Sequence, residues 1–325
     1  MSRAPVASSS SPPPATSSAP TPRGAARLIA ADIKLAHSVF AMPFALLAAF
    51  MAANNGNDGA SQSLDWARLA GQLVLVILAM IFARTVGMVA NRLLDRRIDQ
   101  ANPRTAGRAL PSGRLSVAAA WQATLLCAAG FFACCAAFGM LYANWWPLTL
   151  GPFVLLWISA YGLLKRFTAL CHIYLGSSLA ISPLAAAIAI DPHSLTHQPS
   201  LWLLSAMVLC WVAGFDIIYA LQDMEVDRRD GLHSIPARLG VARAMWISRG
   251  LHVAALACLV ATLIIDDRMG LIFGVGVVIV AALLLYEHLT VSRWGTTKIA
   301  LAFFTLNGVI SCLLGALGIA DVLAG

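Results

Sequence analysis

LAGQLVLVILAMIFARTVGMVANRLLDRRIDQANPR, residues 69–104, carries a long apolar stretch straight into a cluster of charge. About 20 apolar residues suffice for a helix to cross a bilayer, so the stretch reads as a membrane span ending on Asn91, Asp95 and Asp99. A second junction of the same kind, GFDIIYALQDMEVDRRDG at residues 214–231, repeats the D-x-x-x-D spacing at Asp223 and Asp227. Residues i and i+4 share a helix face, so each pair can converge on one cation. Mg²⁺ is a hard ion that takes one or two carboxylates and leaves its other positions to water and phosphate oxygens. Two such pairs facing each other are expected to hold a diphosphate through bridging Mg²⁺. Taken singly, each pair has an equally good structural role, capping helices or pairing with Arg92, Arg96, Arg97, Arg228 and Arg229. The recurrence favours the metal.

Composition sets the environment. The 325-residue chain is 59% hydrophobic and 11% charged, with a mean hydropathy of +0.78, values that belong to an integral membrane protein. Apolar runs of spanning length recur near 33–53, 67–90, 116–138, 144–164, 169–190, 201–222, 242–264, 270–289 and 297–321. Pro43, Pro152 and Pro183 do not demote them, because membrane helices tolerate proline. The expected fold class is all-α, a polytopic membrane protein with nine transmembrane helices in one domain, residues 27–325. Residues 1–26 are rich in Ser, Pro and Ala without an apolar core, and read as a disordered cytoplasmic tail rather than a secretory signal peptide. The seven cysteines all fall within apolar runs and form no C-x-x-C pair, so they read as packing residues.

A net charge of +7 raises the question of nucleic acid. Its distribution answers with topology: Arg92 to Arg114 follow the second span, Lys165 and Arg166 the fourth, Arg228 to Arg243 the sixth, and Arg293 and Lys298 the eighth. By the positive-inside rule these connections and the amino terminus are cytoplasmic, in a cell inner membrane, and the carboxyl terminus lies across it. Both aspartate pairs then face the cytoplasm. The partner is the lipid bilayer, not nucleic acid.

The stretch NRLLDRRIDQANPRTAGRALPSGRLS, residues 91–116, resembles the first signature of the UbiA superfamily of intramembrane prenyltransferases, N-x-x-x-D-x-x-x-D, at Asn91, Asp95 and Asp99. The second, D-x-x-Y-x-x-x-D-x-x-x-D, is matched at Asp216, Tyr219, Asp223 and Asp227, and a Tyr-x-x-x-Lys element at Tyr161 and Lys165. DIKLAHSVFAMPFALLAAF, residues 32–50, and the basic loop are most similar to 4-hydroxybenzoate polyprenyltransferase-like enzymes. The resemblance implies helices around a central cavity open to the cytoplasmic face. It also implies Mg²⁺-dependent transfer of a polyprenyl group from polyprenyl diphosphate to an aromatic acid acceptor. The acid is 4-hydroxybenzoate in ubiquinone synthesis or, by the futalosine route to menaquinone, a dihydroxynaphthoate.

On that footing the metal ligands are Asn91, Asp95, Asp99, Asp223 and Asp227. Lys165 and Arg104, and behind them Arg108, meet the diphosphate, since a guanidinium fork suits phosphate and lysine acts as a point charge. Tyr161 orients Lys165 or donates to phosphate. Arg84 lies inside a span, where an arginine is costly and faces a cavity or a partner; the resemblance associates it with the acceptor carboxylate, and its alternative is a pairing with Asp216 or a backbone carbonyl. Asp216 polarises or deprotonates the acceptor, and Tyr219 touches diphosphate or shields the allylic cation. From another class, an ion-coupled transporter also uses buried charge and paired carboxylates.

Overall fold

The computed structural model describes residues 40–54, 64–295 and 305–324, together with Gly24, Leu28 and Ile299. All but one residue of the expected tail, and parts of the first and last expected spans, lie outside these. Every regular element among the described residues is helical. The long ones are α1 (Met42–Ala53), α2 (Trp66–Leu94), α4 (Val117–Tyr142), α5 (Trp146–Leu164), α6 (Cys171–Ile190), α8 (Pro199–Ala220), α10 (Ile235–Ile265), α11 (Leu271–Trp294) and α12 (Asn307–Ala324). Short helices α3 (Arg96–Ala101), α7 (Ser194–His197) and α9 (Met224–Arg229) lie between them. Among the described residues eight helices are long and apolar enough to cross a membrane, α8 and α9 being joined in one of these. The first expected span, residues 33–53, is described only as the 12-residue α1, too short to be counted with them.

Local chemistry explains where the helices start. Asp65, Ser116 and Ser234 accept the N–H groups of Arg68, Ala119 and Ala237 at 3.0, 3.1 and 3.4 Å, capping α2, α4 and α10. Prolines stand in the first turns of α1, α5, α8 and α10, where no intrahelical N–H bond is lost. At Gly240 the chain takes φ +78°, which kinks α10 near its start and strains any other residue.

Packing follows burial. The span holding α8 is 67% buried, against 17–44% for the others, so α8 is the pillar of the bundle. It packs on α6 and α10, α2 packs on α4 and α5, and α1 is enclosed between α6, α12, α2 and α8. The main apolar core joins Phe44, Met51, Trp211, Phe215 and Phe273. Outward-facing Leu125, Leu126, Met140, Phe153, Ile264 and Leu271 are exposed, as suits a surface covered by acyl chains.

A separate polar network crosses α8, α10, α11 and α12. Trp211 Nε1 donates to Asn307 Oδ1 at 3.0 Å, Asn307 Nδ2 to Glu287 Oε1 at 3.4 Å, and His252 Nδ1 meets His288 Nε2 at 3.0 Å. All five are buried, and so lock helix registry where water cannot substitute.

Candidate active site

Both aspartate pairs occupy a break in a long helix. The spacing leads one to expect each pair on a single continuous helical face; the structure instead places the first aspartate at a joint and the second in a six-residue helix. At the first joint Asp95 (φ −89°, ψ 5°) separates α2 from α3, which carries Asp99. At the second, α8 tightens into a 3₁₀ turn, Leu221–Asp223, and Asp223 (φ −101°, ψ 2°) opens α9, which carries Asp227. The i, i+4 link survives at the first, where the Asp99 N–H donates to Asp95 O at 2.7 Å. Asp95, Asp99 and Asp227 are buried.

Buried carboxylates need partners, and this chain supplies them. Lys165 Nζ lies 2.7 Å from Asp95, and Arg166 Nη2 lies 3.2 Å from the other Asp95 oxygen while capping Leu94 O at 2.6 Å. Arg108 Nη1 donates to both oxygens of Asp99, at 2.8 and 2.9 Å. Across from these, Arg104 forks onto Asp223, with Nε 2.8 Å from Oδ1 and Nη2 on Oδ2, and Asn102 Nδ2 donates to the same Oδ1 at 3.1 Å. Arg104 also donates to the Tyr219 hydroxyl at 3.1 Å. Burial works to lower the Arg104 pKa, but the hydrogen bonds and charge of Asp223, aided by Tyr219, raise it above its ordinary value.

These contacts bring the two walls together. Arg104 and Asn102 come from the loop after α3 yet bind Asp223. Lys165, paired with Asp95, is also an electrostatic neighbour of Asp227.

Whether the set suits a metal is tested by Asn91. Its Oδ1 is buried with no hydrogen-bond partner, and it sits against Gly162, where an added Cβ would collide with it. An orphaned amide oxygen one helical turn before Asp95 is an oxygen donor of the kind hard divalent cations take alongside carboxylates. Among the described residues no three His, Cys, Asp or Glu side chains converge closely enough to hold an ion alone, and the chain's own cations pair with Asp95, Asp99 and Asp223. The set fits a metal whose remaining ligands come from phosphate.

Deeper in the bundle an apolar cavity of about 380 Å³ is lined by Phe40, Met80, Arg84, Phe131, Tyr161 and Phe215 among others. Among the described residues Arg84 forms neither expected alternative pairing, with Asp216 or with a backbone carbonyl. It makes no ion pair among the described residues, and its Nε is buried without a partner. Tyr161 joins this cavity to the carboxylates, having Arg92, Asp95, Asp216 and Arg84 as electrostatic neighbours. Asp216 is held by His172, Nδ1 to Oδ2 at 2.7 Å.

Sequence reasoning missed His172, although a histidine in the first turn of an apolar span is the kind of signal that marked Arg84. It also missed Arg166 and Asn102. Arg166 looked like a topology marker beside Lys165, and nothing in the sequence ties Asn102 to an aspartate 121 positions away.

Comparison with known proteins agrees with this geometry. The UbiA prenyltransferase family matches residues 41–309. The chain is 29% identical over 255 residues to the 4-hydroxybenzoate octaprenyltransferase of Shewanella woodyi, covering 76% of this chain and 83% of that protein. It is 30% identical over 241 residues to that of Edwardsiella ictaluri, covering 74% and 80%. Among solved structures, an apo UbiA homolog from Aeropyrum pernix K1 superposes with a TM-score of 0.74 at 31% identity, over 88% of this chain and 98% of that one. A UbiA homolog from Archaeoglobus fulgidus bound to DMAPP and Mg²⁺ shares the fold, with a TM-score of 0.63 at 19% identity over 91% of this chain and 99% of that one.

Proposed function

This chain belongs to the UbiA prenyltransferase family, and from that premise we propose that it moves a polyprenyl group from polyprenyl diphosphate to a ring carbon of 4-hydroxybenzoate in quinone synthesis. It works in the inner membrane with its carboxylate end toward the cytoplasm. Family membership displaces the ion-coupled transporter.

The observation that carries the acceptor assignment is Arg84, at the wall of an apolar cavity beside Tyr161, its Nε buried without a partner and with no ion pair among the described residues. An arginine left there without a counterion calls for a carboxylate from outside, and a guanidinium–carboxylate pair is among the stronger polar contacts. Arg84 therefore anchors the acid group, and Asp216 takes the acceptor hydroxyl, so the ring is oriented at two points.

Asn91, Asp95, Asp99, Asp223 and Asp227 would hold Mg²⁺, whose chemistry here is to neutralise charge growing on the diphosphate as the allylic carbon–oxygen bond breaks. Lys165, Arg104 and Arg108 exchange their aspartates for diphosphate oxygens. Tyr161 holds Lys165 in place, and Tyr219 donates to diphosphate when Arg104 moves. The apolar wall keeps water from the allylic cation, which would otherwise hydrolyse. Asp216 draws the proton from the acceptor hydroxyl, making the ring more nucleophilic; after the carbon–carbon bond forms, the ring proton passes to the released diphosphate and Asp216 returns its own proton to the product phenolate.

The test uses membranes containing the protein, Mg²⁺, a long-chain polyprenyl diphosphate and one aromatic acid. Prenylated 4-hydroxybenzoate is the expected product. Product from a dihydroxynaphthoate alone would move the protein to the menaquinone route, and no product from either acid would refute the function.

A further inference from the structure

We propose that His172 is the positioning residue of the acceptor site: a neutral imidazole with its proton on Nδ1, which fixes Asp216 so that its free side serves the acceptor hydroxyl. What Asp216 touches rests on the function proposed above; the His172–Asp216 contact does not.

The protonation state follows from the partners. Ile235, the first residue of α10, donates its backbone N–H to His172 Nε2 at 3.2 Å. A backbone N–H can only donate, so Nε2 must present a lone pair, which an imidazolium lacks. The ring proton then sits on Nδ1 and is given to Asp216 Oδ2 at 2.7 Å. That N–H of Ile235 is one of the amides a helix start leaves without an internal partner. Ser234 caps further along at Ala237, so His172 satisfies the donor that this cap does not reach.

Burial assigns the roles. The His172 side chain is 4% exposed and that of Asp216 is 21% exposed, so the imidazole is walled in while the carboxylate keeps an open side. Both ring nitrogens of His172 are committed, which bars it from receiving the acceptor's proton. Asp216 is the base and His172 stands behind it, holding one rotamer. Held there, Asp216 makes no ion pair with Arg84, so both stay free for the two ends of a hydroxy acid.

A second-sphere orienting contact of this kind is worth about 10- to 100-fold in function. Glutamine can supply both a donor toward Asp216 and an acceptor toward Ile235, and leucine neither. His172→Leu is expected to lower kcat/KM for 4-hydroxybenzoate about 100-fold while the KM for octaprenyl diphosphate stays within about threefold; His172→Gln should recover to within about tenfold of the parent. A merely structural histidine would instead shift both substrates together. Nitrogen-15 spectra of membrane-embedded, histidine-labelled protein, assigned by difference with His172→Gln, supply a readout independent of turnover and of whether the leucine variant folds. A protonated Nδ1 and bare Nε2 at neutral pH are expected. An imidazolium, an Nε2–H tautomer, a leucine variant within threefold of the parent, or a glutamine variant no better than leucine would each overturn the assignment. If the parent prenylates no aromatic acid, the function fails, and the nitrogen spectra still decide the contact.

Discussion

The two aspartate walls share a spacing and a broken helix, but not a charge balance. On the wall of α2 and α3, Asp95 is paired with Lys165 and Arg166, and Asp99 with Arg108 and, at 4.0 Å, Arg92. On the wall of α8 and α9, Asp223 has the Arg104 fork and Asn102, and Asp227 has no ion pair among the described residues. A repeated motif is thus a repeated backbone device whose electrostatics are set by what folds against it. The first wall is saturated by its surroundings. The second keeps unused acceptor capacity, and its one guanidinium comes from the first wall's own loop.

The sharpest way to break this contrast is to remove an aspartate from each side. Asp95→Ala and Asp223→Ala should each cut turnover by about 10²- to 10³-fold, the scale for losing one preorganised charge contact, while expression persists. Near-normal turnover in either variant would show that its wall holds no metal. Arg84→Ala leaves both walls intact and should raise the acceptor KM by about 10- to 100-fold, the cost of a charged hydrogen bond, with little change for polyprenyl diphosphate. Equal effects on both substrates would place Arg84 with the diphosphate instead.

Smaller effects sharpen the asymmetry. Arg104→Ala should weaken polyprenyl diphosphate binding about tenfold, and Arg104→Lys should rescue little, because lysine lacks the planar fork. Arg108→Ala, on the saturated wall, is expected to cost less than Arg104→Ala in the same binding assay. Asn307→Leu lies outside both walls and leaves Trp211 Nε1 and Glu287 without partners. It should destabilise the protein by about 2 kcal/mol in thermal denaturation and leave both KM values alone.

The spans were legible because a bilayer asks for a length and a polarity, both visible along the chain. The joints at Asp95 and Asp223 were not, since neither is marked by Gly or Pro, the usual signals of a helix end. The kink at Gly240 has its residue marker, but only the observed φ of +78° separates it from a tolerated helical glycine. Spacing singled out Asp95, Asp99, Asp223 and Asp227 as candidates, and depth singled out Arg84; the structure places the aspartates at the two helix joints and Arg84 at the cavity wall. Which cation meets which carboxylate was hidden, because Arg104 reaches 119 positions to Asp223 and Arg166 reaches 71 to Asp95. Periodicity reports which face a residue shares, not which distant segment covers that face.

The four site carboxylates are surrounded by Lys165, Arg166, Arg104 and Arg108, and this near-neutral pairing carries a thermodynamic consequence. Mg²⁺ alone must displace a tethered cation to take Asp95, Asp99 or Asp223, Asp227 alone of the four having no ion pair among the described residues, whereas Mg²⁺ arriving with diphosphate gives those displaced cations a new anion. On the function proposed above, metal and diphosphate are coupled ligands, and reciprocity requires each to raise the affinity for the other by the same factor. Free Mg²⁺ is then expected to bind the resting site weakly, and polyprenyl diphosphate to strengthen that binding.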